Sequence, residues 1–251
     1  MNKIFYITFF YLLCFSVVSA AITDPALKHA IFGMNYYEKV YESIMTNSVH
    51  SNTPGYKATG ITSQKNGRLR ETIVFHRFIQ GTPIKSGGSL DFMIEGKGFF
   101  VLQCPWGQSY TRDGRFTLDQ NGKLITLTGH FPVLGESGEI YLTNHNISVT
   151  EKGVFVLRGE SVDFLRIEDF EDTTALKSFN GTIFYPQDEN IVLRPATNYI
   201  IKQGYYESSN VNMIGQLSKF PEVKNVYDAN TKSAKMILKS LSAGLQMGSP
   251  D

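Results

Sequence analysis

The sequence predicts an α+β protein, with N- and C-terminal helices pairing as a coiled coil and a central all-β domain inserted between them. Three observations carry that expectation. Apolar and small residues from Leu27 to Ser48 recur at alternating steps of three and four. The same alternation returns between Tyr227 and Leu245. The stretch between holds short apolar runs cut by Gly, Asp-Gly and Asn-Gly, which is the punctuation of strands and turns.

The first twenty residues stand apart from the fold. Lys3 gives a short positive start, and an uncharged apolar run of ~14 residues follows from Phe5 to Val18, short for a bilayer span. Small residues at Val18-Ser19-Ala20 then suit signal peptidase, so residues 1–20 are expected to be a signal peptide cut after Ala20. The alternative is an N-terminal anchor that stays attached. A lipoprotein reading of Cys14 is poor, because bulky Leu13 precedes it. Cleavage would remove Lys3 alone among the charged residues, turning 24 basic and 23 acidic groups into 23 of each. That balance argues against a nucleic-acid binder driven by counterion release, and a neutral surface tolerates self-association. Only Cys14 and Cys104 are present, so a disulfide scaffold or a Cys-rich zinc site is disfavoured.

The N-terminal helix is expected within residues 21–55, with the seam Leu27, Ala30, Met34, Tyr37, Tyr41, Ile44 and Ser48. Asp24 suits the N-cap and Pro25 the first helical position. Asn52-Thr53-Pro54-Gly55 should end it, since Pro54 restrains Thr53 and Gly55 can take positive φ. Residues 56–88 read as an extended connection, irregular over Ala58–Gln80. The C-terminal helices are expected in residues 205–251. Ser208 and Ser209 can cap a short helix through Val211, Ile214 and Leu217, which Pro221 interrupts. A longer helix follows with the seam Tyr227, Thr231, Ala234, Leu238, Leu241 and Leu245. Two narrow stripes at opposite ends suit each other as partners; the alternative is that each packs separately on the β body.

The β domain is expected over residues 89–204. Leu90–Leu102 reads as a buried strand pair split by Gly96-Lys97-Gly98. Asp113-Gly114 and Asn121-Gly122 are hairpin signals, because a type I′ turn needs positive φ twice. Short strands are expected near 140–142, 147–149, 154–157, 163–167 and 198–201.

Little in the chain suggests chemistry. Five His at 29, 50, 76, 130 and 145 form no metal-ligand pair. Gly96-x-Gly98 lacks the third glycine of a dinucleotide loop, and a strand follows where a helix is needed. Gly135-Glu-Ser137-Gly138-Glu139 misses the nucleophile elbow. Asp119-Gln-Asn121-Gly122 lacks the remaining acids of a calcium loop. Asp91 and Glu95 could share a strand face, but no third group completes a hydrolase site. Asn146 and Asn180 begin glycosylation sequons, which are common by chance. Trp106 has no evident partner array for carbohydrate stacking. No catalytic, cofactor-binding or metal residue is therefore assigned, and no small-molecule substrate is expected.

Three motifs in order carry a resemblance. Asn52-Thr53-Pro54-Gly55-Tyr56-Lys57, after a helix with Gly33-Met34 and Asn47, resembles the N-terminal signature of bacterial flagellar rod and hook proteins. Ser89-Leu-Asp-Phe-Met-Ile-Glu-Gly-Lys-Gly-Phe-Phe-Val-Leu102 is similar to that family's β domain. So are Tyr110-Thr-Arg-Asp-Gly-Arg-Phe116, Asp119-Gln-Asn-Gly-Lys-Leu124 and Gly129-His-Phe-Pro-Val-Leu-Gly135. Gly204-Tyr-Tyr-Glu-Ser-Ser-Asn-Val-Asn212 and Tyr227-Asp-Ala-Asn-Thr-Lys232 resemble its C-terminal helix region. The match covers most of residues 30–135 and 204–245, nearest to the proximal and distal rod types.

The resemblance implies a structural protein without a catalytic site or cofactor. Its terminal helices would pair and stack with copies of itself and with other rod or hook subunits. The β domain would lie outside the resulting tube, and the polymer would transmit torque for motility at the basal body. On this reading Asn52, Thr53, Pro54 and Gly55 fix the helix exit, and Ser209, Asn210, Val211 and Asn212 fix the return. The chain departs from the family in three places. Rod proteins normally leave through the flagellum's own secretion channel, without a leader. Pro221 stands where the family's helix continues. His50 and Ser51 replace an Asn and a hydrophobic residue. These departures motivate a rival reading: a periplasmic or surface binding module that keeps the β domain without polymerising. A secreted enzyme is a distant third. Membrane contact would come only through the export signal.

Overall fold

The computed structural model describes residues 24–66, 69–142, 147–187 and 191–247. The expected leader at 1–20, Cys14 within it and the Asn146 sequon lie outside these residues, as does the side chain of Leu245. Two helices frame a β-rich middle, so the α+β class holds. Helix α1 is Pro25–Val49 and helix α2 is Met213–Met247. No helix among the described residues is long and apolar enough to cross a membrane.

Helix α1 starts as its sequence predicts. The Asp24 carboxylate accepts from the amides of Ala26 at 2.7 Å and Leu27 at 3.1 Å, with Pro25 first in the helix. Helix α2 departs from expectation. It runs unbroken for 35 residues with Pro221 inside, where a short helix, a break and a second helix were expected. Pro221 costs the Leu217 carbonyl its amide donor. Both residues are exposed, Leu217 by 52%, so water can take that bond and the helix continues. Ser209 accordingly caps a turn, accepting from the Val211 amide at 3.3 Å, four residues ahead of the helix.

The described chain falls into two compact units, one within residues 1–45, 61–74 and 214–251, the other of 46–60 and 75–213. In the first, α1 and α2 touch through a small apolar cluster. Leu27, Ala30 and Ala234 are buried, with Met34 and Ile237 against them. A Cβ on Gly33 would lie 2.5 Å from the Asn230 Oδ1, so glycine lets the helices approach there. The rings of Tyr41 and Phe220 meet at 5.0 Å. The same unit contains most of a hairpin, Thr59–Asn66 with Leu69–His76, where an irregular connection was expected. The sequence hid it because residues 62–66 are exposed on both faces, leaving no alternation to read.

The second unit is the β body. Its largest sheet is antiparallel, with strands ordered 176–179, 183–186, 107–111, 99–104, 167–170 and 193–195. Strand Phe99–Cys104 is buried on both faces. Phe100, Leu102 and Cys104 enter one core, and Phe99 and Val101 enter another with Tyr110, Phe170 and Phe184. This explains its continuous apolar run. The expected strands at 90–102 exist, but Phe92–Gly96 pairs with Tyr199–Gln203 and not with Phe99–Cys104. Gly96 and Gly98, at φ 105 and 106, redirect the chain between the two sheets.

The glycine turns divide. Asn121-Gly122 does close a hairpin, 116–118 with 124–126, but through a five-residue loop. Only Gly122 has positive φ there, and Asp119 accepts from the amides of Asn121 and Lys123, both at 2.8 Å. Asp113-Gly114 makes no hairpin. Strand 107–111 pairs with 99–104 and 183–186, and Gly114 instead crosses so close to Phe92 that a Cβ would lie 1.7 Å from its carbonyl oxygen. Successive positive φ values occur instead at Gly129-His130, at 85 and 54, at Arg158-Gly159, at 54 and 91, and at Asn180-Gly181, at 58 and 81, the last inside what read as a sequon.

Candidate functional site

The β body carries the junction where the chain arrives from α1 and departs toward α2. It is built from the bottom by Asn47, in the last turns of α1 and 1% exposed. Its Oδ1 accepts from the Thr59 amide at 2.8 Å and the Tyr56 hydroxyl at 3.1 Å, while its Nδ2 donates to the Thr59 carbonyl at 2.9 Å. One buried amide thus satisfies the start of the first strand. Between them the chain turns. The Tyr56 amide donates to the Thr53 carbonyl at 3.2 Å across Pro54 and Gly55, with Gly55 at φ 70, so Pro fills the first central place and Gly the positive-φ place of a type II turn. The helix itself stops at Val49, and Asn52–Gly55 lies in the turn that leads out of it. Tyr56 is fully buried, its ring stacked on His50 at 4.7 Å and 11°. Burial raises the Tyr56 hydroxyl pKa, so it stays a neutral donor to Asn47.

The returning segment docks directly on this turn. The Gly55 amide donates to the Glu207 carbonyl at 2.8 Å, and the Ala58 amide to the Asn210 Oδ1 at 2.7 Å. Asn210 Nδ2 reaches the carbonyls of Arg77 at 2.6 Å and Ile79 at 2.9 Å. A Cβ on Gly55 would stand 2.3 Å from the Asp113 amide, so the Tyr110–Phe116 motif presses on the same turn. Of the residues expected to act here, Gly55 and Asn210 bond across the two segments, while Ser209 bonds within its own turn to Ser208 and Val211. Thr53 bonds within its own turn and to the His50 ring at 3.1 Å.

Three residues that the sequence did not single out lie at the centre. Lys57, Arg112 and Glu207 are 1%, 7% and 0% exposed. Lys57 Nζ donates to Glu207 Oε1 and, at 2.9 Å, to the Ile79 carbonyl. The Gly81 amide also donates to Oε1, at 2.7 Å. Arg112 Nη1 lies 3.4 Å from Glu207 Oε2 and 3.1 Å from the Ile94 carbonyl, Nη2 donates to the Gly96 carbonyl at 2.7 Å, and the guanidinium sits over the Phe99 ring. Burial pushes the Lys57 ammonium and the Arg112 guanidinium below their ordinary values, and the Glu207 carboxylate pulls both back. Each residue comes from a different one of the three motifs quoted above. That placement was the available signal: each motif supplies one member of the cluster, although the second and third motifs carry other charged residues as well.

The helical unit holds the seam residues. Leu27, Ala30 and Ile44 on α1 and Ala234 on α2 are buried, Met34, Tyr37, Tyr227 and Leu241 half-buried, and Tyr41 more exposed. On α2 Val226, Thr231 and Ser233 are half-buried, and beside them Phe220, Val223, Tyr227, Asn230, Ala234, Ile237 and Leu241 are sheltered, again in steps of three and four. The expected seam shares Tyr227, Ala234 and Leu241 with these, but Leu238 is 50% exposed and Ile237 packs in its stead. Beside the seam Tyr37, Tyr41, Phe220, Val223 and Tyr227 line a groove of about 420 Å³. Ile31, Met45, Ile214, Leu217 and Met236 leave further apolar surface exposed. Among the described residues no cluster of His, Cys, Asp and Glu could hold a metal.

Known proteins bear on this arrangement. The model of the flagellar hook protein FlgE/F/G D1 domain matches residues 93–157. The flagellar basal-body rod protein FlgG of Buchnera aphidicola (from Acyrthosiphon pisum) is 30% identical over 218 residues, covering 81% of this chain and 80% of that protein. The flagellar basal-body rod protein FlgF of Caulobacter vibrioides is 30% identical over 229 residues, covering 83% and 91%. FlgF of Rhizobium meliloti is 30% identical over 205 residues, covering 76% and 84%.

Proposed function

The chain belongs to the family of flagellar basal-body rod proteins, and we infer from this that it is a structural, non-enzymatic subunit of the basal-body rod, serving motility. Identity to rod proteins over about four fifths of the chain is the observation that carries the reading. In the finer proposal α1 and α2 act as a coiled-coil pair that stacks with copies of the chain and with other rod or hook subunits. Support comes from the narrow seam and from the apolar surface left on both helices. A seam of this width satisfies one neighbour, and exposed Ile214, Leu217 and Met236 are stabilised only when further subunits cover them. Contacts between unlike faces, related by a rotation that does not close, give a helical polymer.

The junction motifs then fix the path of the chain, with Asn52–Gly55 at the helix exit and Ser209–Asn212 at the return into the C-terminal helix. Residues 1–20 act as a cleaved leader, which would carry the subunit to the periplasm without the flagellar channel. N-terminal sequencing of the mature protein should begin at Ala21; a start at Met1 refutes cleavage. The rival reading of a binding module that does not polymerise leaned partly on Pro221, and α2 runs through that residue.

Deleting the gene and inspecting purified basal bodies and swimming tests the main reading. Rods should be missing or truncated and swimming lost. Normal rods with normal swimming would overturn it.

A further inference from the structure

The buried charges of the junction come from distant parts of the chain. Lys57 and Glu207 are 150 residues apart, and Arg112 and Glu207 are 95. Without Glu207, two cations would face one another in a dry site. The other partners of Lys57 and Arg112 are backbone carbonyls, which stabilise a cation but do not neutralise it. Asp169 acts on Arg112 through space only, with no ion pair. A buried charge stripped of its counter-charge is strongly destabilising, so neither cation is comfortable until the returning segment docks. That segment also supplies the acceptors for the amides of Gly55 and Ala58.

We propose that Lys57, Arg112 and Glu207 form a closing latch: residues 52–60 are held in their folded path only when residues 205–210 have docked, and the two segments open and close as one unit. This goes beyond the rod reading and does not depend on it. An incomplete chain lacking the return segment would leave Lys57 without its counter-charge and the Gly55 and Ala58 amides without their acceptors, so the path of residues 52–60 is conditional on the chain's far end.

Hydrogen exchange on the full-length protein tests it. In Glu207→Gln, peptides covering 52–60 and 205–210 should both lose protection by ~100-fold or more, while those covering 99–104 change by less than ~3-fold. Lys57→Met, placed in the other segment, should give the same pattern, including the loss at 205–210. Loss confined to the mutated segment, or equal loss everywhere, overturns the latch. The unmutated protein decides the matter if the variants do not fold. Its two segments should share one opening, and protections more than ~10-fold apart would overturn the proposal.

Discussion

The β-body junction and the helix pair solve opposite problems. At the junction almost every buried polar group has a partner inside the chain. Asn47 alone serves one carbonyl, one amide and two hydroxyls, and Glu207 accepts from Lys57, Gly81 and Arg112. On the two helices Leu27, Ala30, Ile44, Val223 and Ala234 are the buried apolar residues, and large apolar side chains are left in water. The first region is complete within one molecule. The second leaves apolar surface in water, and on the proposed reading neighbouring subunits would cover it. The difference matches a subunit whose body must be rigid before assembly and whose ends gain their packing during it.

The largest effect should come from breaking the complete region. Tyr56→Ala removes a fully buried ring, one of the donors to Asn47 and the ring stacked on His50. A loss of about 3–5 kcal/mol is expected from the cavity and the freed polar group. Trp106, the single tryptophan, lies in the β body and reports its denaturant midpoint. A midpoint shift below about 1 kcal/mol would mean that the turn does not need the ring.

The helix pair is sharpened by two neighbouring substitutions. Ile237→Asp puts a charge beside Leu27, Ala30 and Ala234, and should lower helix content in the monomer and abolish assembly. Leu238→Asp alters a half-exposed position, so the monomer should keep its helix content, and any loss should appear only in assembly. The reverse order would return the seam to the register read from sequence alone. That register failed at one step for a simple reason. Tyr227, Ala234 and Leu241 fit both seams, Asn230 and Thr231 are both half-buried, and the choice falls on Ile237 against Leu238. A 3-4 spacing fixes the stripe to within one residue, and only the partner helix decides the rest; here Asn230 packs against Gly33, which periodicity cannot reveal.

The same limit explains what else the sequence could and could not disclose. Local chemistry was legible: the Asp24-Pro25 cap, the Pro54-Gly55 turn and the Gly122 hairpin each depend on residues a few positions apart. The ion cluster was not, because no periodicity links Lys57 to Glu207. The hairpin at 59–76 escaped because its outer strand residues are exposed on both faces, so no buried face selects the pattern. Charged residues inside motifs were the one hint of the cluster, and they read equally well as solvated strand edges.

The smallest effect concerns the boundary of the junction. His76 lies beneath it, with Nδ1 3.4 Å from the Lys57 carbonyl and its ring against Phe78 and Phe184. Burial lowers its pKa below the ordinary 6.5, and the Lys57 carbonyl opposes this only in part. The unfolded chain therefore takes up the proton first as pH falls. Stability from the neutral ring is fully present above the ordinary value and declines as pH drops through it toward the lower folded value. The β-body midpoint should fall modestly between pH 7.5 and about 5.5, while helix content changes less, since His76 belongs to the β body. His76→Gln should flatten that profile. If the wild-type midpoint is level across the range, the ring is not held neutral; if helix content falls in step with the body, the two regions are less independent than their packing implies.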